Sequence, residues 1–257
     1  MHSQLIPGLP IQTYGLCVAA GALLAAYAMD KISRRRDGGN LVMMLLFAGL
    51  AGARIAHVIE YWHEDGFDRD FLSVFALWRG GLVFYGGLAG AAIALAIHCA
   101  VKKESLLSAA DRIAVVLPLA HAFGRIGCFF HGCCWGKVSQ SRLAVTFPAG
   151  SPVWFAHRAG PDAARSLPVL PVQLFEAAAL LVLFAVLLLA YRRFKAHTAA
   201  GWLAGYGILR FFLEYLRADV RPSLWGFSSA QLVSIVLVAA GIALFAATFR
   251  KKCPAST

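Results

Sequence analysis

Seven apolar runs of about 20 residues divide this chain, near 11–30, 41–61, 80–101, 110–128, 172–191, 200–217 and 228–249, and short polar or basic segments separate them. A helix rises about 1.5 Å per residue, so each run is long enough to cross a hydrocarbon core roughly 30 Å thick. The pattern predicts an all-α integral membrane protein of seven transmembrane helices, a single domain over 1–257, with residues 129–171 forming a small cap on the outer face. The first run has no basic segment before it and no small-residue cleavage site ahead of the Lys31–Arg36 cluster. It is therefore expected to stay attached as the first span rather than be removed as a leader. No Gly/Ser linker, low-complexity tract or fixed-period repeat breaks the domain.

Several spans carry polar residues that lipid tolerates poorly. Charged groups at mid-span cost roughly 2.5–3.5 kcal/mol each on insertion scales and so face protein or a wet cavity. Tyr206, Arg210, Glu214 and Arg217 follow one another at i, i+4, i+8 and i+11, a single stripe on the sixth run. His121, Arg125 and Cys128 share one face of the fourth run, and Arg54, His57 and Glu60 recur at three-residue steps on the second. Each set reads either as an ion-pair network that locks helices together or as part of a ligand site. Arg125 with Arg210 favours a site: few carboxylates stand near the outer segment to neutralise both, and a guanidinium grips phosphate through two parallel hydrogen bonds. An anionic phospholipid head group suits that depth. Glu214 is expected to pair with Arg210 or with Arg217.

Composition agrees with a membrane protein, at 60% hydrophobic and 14% charged residues against roughly 45–50% and about 25% in soluble domains. The net charge of +11 gathers in flanking clusters, Lys31 with Arg34–Arg36, Lys102 with Lys103 and Arg112, Arg192 with Arg193 and Lys195, and Arg250–Lys252. Basic flanks stay on the cytoplasmic side, which puts the N-terminus outside and the C-terminus inside. The same clusters attract anionic lipid. No basic stripe interleaves with exposed aromatics, so nucleic acid is not an expected partner.

One segment concentrates chemistry. Gly124-Arg125-Ile126-Gly127-Cys128-Phe129-Phe130-His131-Gly132-Cys133-Cys134-Trp135-Gly136-Lys137 holds a guanidinium, three thiols and an imidazole at the outer end of the fourth run. Cys17 and Cys99, in apolar spans, read as small core residues, and Cys253 lies in the inner tail. Three readings of Cys128, Cys133 and Cys134 stand side by side. One thiolate is a nucleophile activated by Arg125, Lys137 or His131; an outward-facing pair forms a disulfide; or Cys128, His131 and Cys133 hold a soft metal, although adjacent cysteines seldom share one ion. The glycines of Gly80-Gly81-Leu82-Val83-Phe84-Tyr85-Gly86-Gly87 serve either tight helix packing or close approach of a ligand.

The frame of the cysteine segment resembles the signature of the prolipoprotein diacylglyceryl transferases, Gly-Arg-Ile-Gly-Asn-Phe-x-Asn-Gly-Glu-x-Trp-Gly-Arg. Pro10–Leu16 is similar to that family's lead into its first span, Gly80–Gly87 to its Gly-Gly-x-x-Phe-His-Gly-Gly element, Pro171–Glu176 to its Pro-x-Gln-Leu-Tyr-Glu, and Gly205–Phe211 with Glu214 to its penultimate span. The resemblance implies a multi-pass enzyme of the bacterial inner membrane that transfers the diacylglyceryl group of phosphatidylglycerol to the lipobox cysteine of a prolipoprotein. It makes a thioether and releases glycerol phosphate. The implied partners are phosphatidylglycerol or a related anionic lipid and a prolipoprotein signal peptide, and no cofactor is implied.

Carried over position by position, the resemblance implies that Arg125 and Arg210 hold the phosphate beside Tyr206, with Gly86 and Gly136 lining the lipid. Cys128, Glu214 and Arg54 support the site. The family's histidine is Tyr85 here, its two asparagines are Cys128 and His131, and its glutamate is Cys133. A free phenol near pKa ~10 is a poor base for a free thiol near ~8.5, whereas an imidazole near ~6.5 suits the task. His131 is thus the expected base, with Tyr85, Cys133 and Cys134 completing the catalytic set. The alternatives are a divergent relative that alkylates another acceptor or does redox or metal chemistry through the three cysteines, and a lipid- or metal-binding membrane protein without turnover.

Overall fold

A computed structural model describes residues 13–33, 37–65, 67, 70–76, 80–160, 162–194, 197–218, 223–224 and 226–252. Pro10–Gln12, Arg34–Arg36, Lys195 and Cys253, which figure in the sequence reading, lie outside the described residues. Eight α-helices account for most of the chain: α1 (Thr13–Ser33), α2 (Gly38–Glu60), α3 (Phe84–Lys102), α4 (Leu106–His131), α5 (Pro152–His157), α6 (Val172–Phe194), α7 (Thr198–Glu214) and α8 (Ser229–Lys252). A two-residue hairpin, β1 (Ser223–Leu224) with β2 (Phe227–Ser228), precedes α8. All seven apolar runs fold as helices. Six of them, α1, α2, α3, α4, α6 and α8, are long and apolar enough to cross a membrane. The remaining one, the sixth run, is α7, which has 17 residues and carries the polar stripe.

The chain divides into two compact units, residues 22–110 and residues 1–21 with 111–257. In the first unit α2 and α3 pack through small residues. A Cβ on Gly52 would strike the Gly86 carbonyl, and one on Gly90 the Ala48 carbonyl, so two four-residue small-residue repeats let the backbones touch. Arg54, buried on α2, donates to four carbonyls of the segment before α3: Ser73 (2.7 Å), Val74 (2.8 Å), Gly80 (2.9 Å) and Gly81 (3.1 Å). Its guanidinium also lies 5.2 Å from the Phe67 ring centroid. Gly81 has φ +73°, and a Cβ there would collide with His57 and Arg54. His57 Nε2 meets Asp65 Oδ2 at 2.7 Å. Of the second-run set, then, Arg54 and His57 brace a loop, and Glu60 is exposed.

In the other unit α7 packs against α6 and α8. Pro118 lies inside α4, where neighbouring protein rather than lipid surrounds it. Thr198 Oγ1 donates to the Asp111 carbonyl (2.6 Å) and Ala199 N to Asp111 Oδ1 (2.8 Å), tying the start of α7 to α4. The expected cap, 129–171, is a folded layer. Phe147, Val153 and Val169 are fully buried in it, with Phe129, Trp135 and Val145 packed around them. Each buried apolar side chain contributes about 1.5–3 kcal/mol. Ser151 caps α5 by accepting from Trp154 N (3.3 Å), with Pro152 at the first helical position. Single bridges at Val138–Val169, Val145–Val169, Pro148–Arg165 and Arg158–Ser166 close the layer.

Candidate active site

The site grows from three helices of one unit. Helix α4 runs three residues beyond the predicted end, so that His131 forms its last residue and Gly132 breaks it with φ +77°. Arg125 and His121 stand one turn apart on its inner face. Arg125 Nε donates to His121 Nε2 (3.3 Å), which requires that nitrogen to be unprotonated, and Arg125 Nη2 lies 3.1 Å from Glu176 Oε1 of α6. Glu176 is fully buried. From α7, Tyr206 packs against His121, with ring centroids 5.2 Å apart, and stacks on Trp202 at 5.6 Å.

Arg210, one turn further along α7, places Nη2 2.7 Å from Glu214 Oε2, and Arg217 Nε stands 3.9 Å from the same oxygen. Ser228 Oγ donates to Glu214 Oε1 (2.8 Å). Arg125 and Arg210 both lie within electrostatic range of the His121 ring and of the Tyr206 hydroxyl, which puts the two guanidiniums in one neighbourhood of α4 and α7.

This corrects the expected charge balance. Glu214 pairs with Arg210, one of the two expected arrangements, and the buried Glu176 at Arg125 was not expected. The neutralisation is incomplete. Arg210 Nη1 is buried without a hydrogen-bond partner among the described residues, and so is the Trp202 indole N–H. Buried donors seldom go unpaired, and such a pair marks where an acceptor belongs. Along a different face of α7 from the Arg210 stripe, α7 and α8 border an open apolar groove of about 320 Å³ lined by Ile208, Phe211, Phe212, Ile235 and Val238.

Past the end of α4 the chain doubles back. Cys133 N and Gly132 N both donate to the Cys128 carbonyl (3.1 and 3.0 Å). Cys134 takes φ +61°, a left-handed conformation that costs a non-glycine residue about 1–3 kcal/mol and is held only where its surroundings enforce it. The consequence is that the sulfurs of Cys128, Cys133 and Cys134 all lie within 4.8 Å of one another. The adjacent pair therefore converges on one point, against expectation. His131 is not in the cluster, so the predicted trio of Cys128, His131 and Cys133 is replaced by three thiols. All five described cysteines are free thiols.

Two neighbours hold this loop. Gln173, buried on α6, donates to the Cys133 carbonyl (2.7 Å). Hydrogen bonds from the Cys128 and Cys133 thiols, and after them one from the Arg217 guanidinium, hold the Cys134 thiol below the usual range. Lys137, the cation expected there, is exposed and offers its backbone N–H to the Leu216 carbonyl instead (2.9 Å).

Tyr14, in the first turn of α1, contacts α4 at Gly127, and its hydroxyl lies within electrostatic range of the three cysteines and of Arg125. Gly136 is in close contact. A Cβ there would lie 2.5 Å from Val172 Cγ2 and 2.8 Å from the Leu170 and Leu216 carbonyls.

Tyr85 and Gly86 begin α3 in the other unit. Tyr85 is 73% exposed, edge-on to Phe84 at 5.7 Å, and Gly86 packs against Gly52 and Ala56 of α2. Sequence reasoning quoted Glu176, Gln173 and Tyr14 without assigning them a role, and it left Arg217 out of the site. The signal for Glu176 was present, since a carboxylate in a membrane helix needs a buried cation.

Comparison with known proteins agrees on one family. The family model described as prolipoprotein diacylglyceryl transferase matches residues 2–247. Phosphatidylglycerol--prolipoprotein diacylglyceryl transferase 2 of Clostridium perfringens (strain 13 / Type A) is 30% identical over 246 residues, 93% of this chain and 91% of that protein. The phosphatidylglycerol--prolipoprotein diacylglyceryl transferase of Vibrio cholerae serotype O1 (strain ATCC 39541 / Classical Ogawa 395 / O395) is 32% identical over 256 residues, 95% of this chain and 89% of that protein. The protein of the same name from Vibrio vulnificus (strain CMCP6) is 32% identical over 254 residues, covering 94% and 88%.

Proposed function

Since the chain belongs to the prolipoprotein diacylglyceryl transferase family, we propose that it transfers the diacylglyceryl group of phosphatidylglycerol to the lipobox cysteine of a prolipoprotein, forming a thioether and releasing glycerol phosphate. The observation that carries this reading is the buried Arg210 Nη1, which has no hydrogen-bond partner among the described residues and shares with Arg125 the neighbourhood of Tyr206. A phosphate oxygen accepts from both guanidiniums, and the Tyr206 hydroxyl and Trp202 indole N–H add donors. As the carbon–oxygen bond breaks, negative charge grows on the leaving phosphate, and fixed cations in a dry site stabilise that charge most. An acyl chain fits the apolar groove of α7 and α8.

In this reading α7 also crosses, as the sixth of seven spans, the N-terminus is outside and the C-terminus inside, in the bacterial inner membrane. Residues 129–171 cap the pocket from the outer face of one transmembrane domain. The distribution of basic flanks supports that orientation. His131 accepts the proton of the attacking thiol, and Gly136 seats the cap.

The test uses full-length protein in vesicles of head-group-labelled phosphatidylglycerol, with a lipobox peptide or its cysteine-to-serine analogue. Glycerol phosphate release that requires the peptide thiol supports the assignment, and release equal with both peptides or with neither overturns it.

A further inference from the structure

The three sulfurs beyond α4 form an arrangement that phosphate binding does not need. Cys128 comes from the last turn of α4, Cys133 follows the Gly132 break, and the left-handed Cys134 turns back toward both. All three sulfurs lie within 4.8 Å of one another. A zinc ion at about 2.3 Å from each sulfur sets tetrahedral sulfurs roughly 3.8 Å apart, so the trio needs to contract by about 1 Å or less. The loop is braced where a ligand set needs support, by Gln173 on the Cys133 carbonyl and by the Arg217 guanidinium at the Cys134 sulfur. Three thiolates around a divalent ion leave one negative charge, and Arg217 offsets it. No fourth His, Cys, Asp or Glu joins the cluster among the described residues. Three protein ligands with a vacant fourth position is the pattern of a reactive zinc site rather than a closed structural one. The sulfurs are also half-buried, not sealed.

We propose that Cys128, Cys133 and Cys134 bind a zinc-class thiophilic divalent ion whose open position takes the acceptor thiol. This rests on the transferase reading and adds to it the means of activating the nucleophile. A thiol that coordinates such an ion loses its proton. The proton passes to solvent, which reaches the half-buried thiol loop. The metal-bound thiolate then attacks the glyceryl carbon; the carbon–sulfur bond forms as the carbon–oxygen bond to phosphate breaks, and glycerol phosphate leaves with the electron pair. The thioether product is a weaker ligand than a thiolate and departs, and no oxidant or reductant is consumed.

Full-length protein purified under reducing conditions without chelator is assayed for metal by elemental analysis, then stripped and reloaded with cobalt(II). About one zinc per chain is expected, retained by Cys99→Ser and lost from Cys128→Ser and Cys133→Ser. The cobalt form of the unmodified protein should show sulfur-to-cobalt charge-transfer absorption, shifted by the lipobox peptide and not by its serine analogue. This readout needs no turnover. Absence of the charge-transfer band, equal metal in the serine variants, or a cobalt spectrum blind to the peptide thiol overturns the proposal. Peptide-dependent glycerol phosphate release that continues at an undiminished rate in metal-stripped protein also overturns it while sparing the transferase assignment. A peptide-responsive cobalt site without any release supports the metal site and removes the assignment.

Discussion

Arg210 Nη2 lies 2.7 Å from Glu214 Oε2 one turn along α7, while Arg210 Nη1, just as buried, has no hydrogen-bond partner among the described residues. One edge of the guanidinium is spent on holding the side chain in place and the other is left for a ligand. Arg210→Lys keeps the charge and therefore the contact with Glu214, but it loses the second donor edge. Turnover measured as glycerol phosphate release should fall on the order of 100-fold in kcat/KM, about 2.7 kcal/mol of transition-state stabilisation. The thermal midpoint should stay close to that of the parent. A large fall in midpoint with near-normal kcat/KM would show that Arg210 only braces α7.

Glu176 makes a different prediction because it is fully buried against Arg125. Breaking a buried pair leaves an uncompensated charge and costs about 3–5 kcal/mol. Glu176→Gln should therefore be strongly destabilised in detergent. If a lipid phosphate shares Arg125, phosphatidylglycerol should restore part of that loss by mass action, and phosphatidylcholine should restore much less. Denaturation midpoints in mixed micelles of each lipid check this, and equal recovery by both would separate Arg125 from head-group charge.

His131 and Tyr85 divide the chemistry in a testable way. His131 ends α4 beside the thiol loop, and Tyr85 begins α3 with an exposed ring. If the imidazole takes the acceptor's proton, His131→Ala loses about 10²–10⁴-fold in kcat. Tyr85→Phe, which removes only the phenol oxygen, stays within about threefold. Single-turnover rates with the lipobox peptide decide, and equal losses in the two variants would place the base elsewhere.

The helices were legible in the sequence because lipid demands about 20 apolar residues per crossing, and all seven runs fold as helices within a few residues of their expected bounds. The polar stripes that carry Arg125 and Arg210 were also legible, as charges that lipid would reject. What escaped was whatever depended on partners far away in the chain. Glu176 lies 51 residues beyond Arg125, and no local pattern says that α6 will present its carboxylate there. The convergence of the adjacent Cys133 and Cys134 escaped for a backbone reason. Adjacent side chains normally diverge, and only the left-handed Cys134 after the Gly132 break turns both sulfurs inward. The cap's fold was hidden as well, since single bridges and a six-residue helix leave little periodicity to read.

Arg54 tests whether a buried membrane arginine is structural or functional. Its four hydrogen bonds all end on carbonyls of residues 73–81, which leaves it little capacity for an anionic ligand. Hydrogen bonds to a charged group contribute about 1.5–3 kcal/mol each, and a buried acceptor left unpaired adds its own cost. Arg54→Ala should lower unfolding free energy by about 3 kcal/mol or more. Arg54→Lys, which cannot span the same four carbonyls, should recover only part of it. At temperatures where the lysine variant remains folded, glycerol phosphate release should stay within about threefold of the parent with KM for phosphatidylglycerol unchanged. A lysine variant of normal stability with KM raised tenfold would instead make Arg54 a lipid ligand.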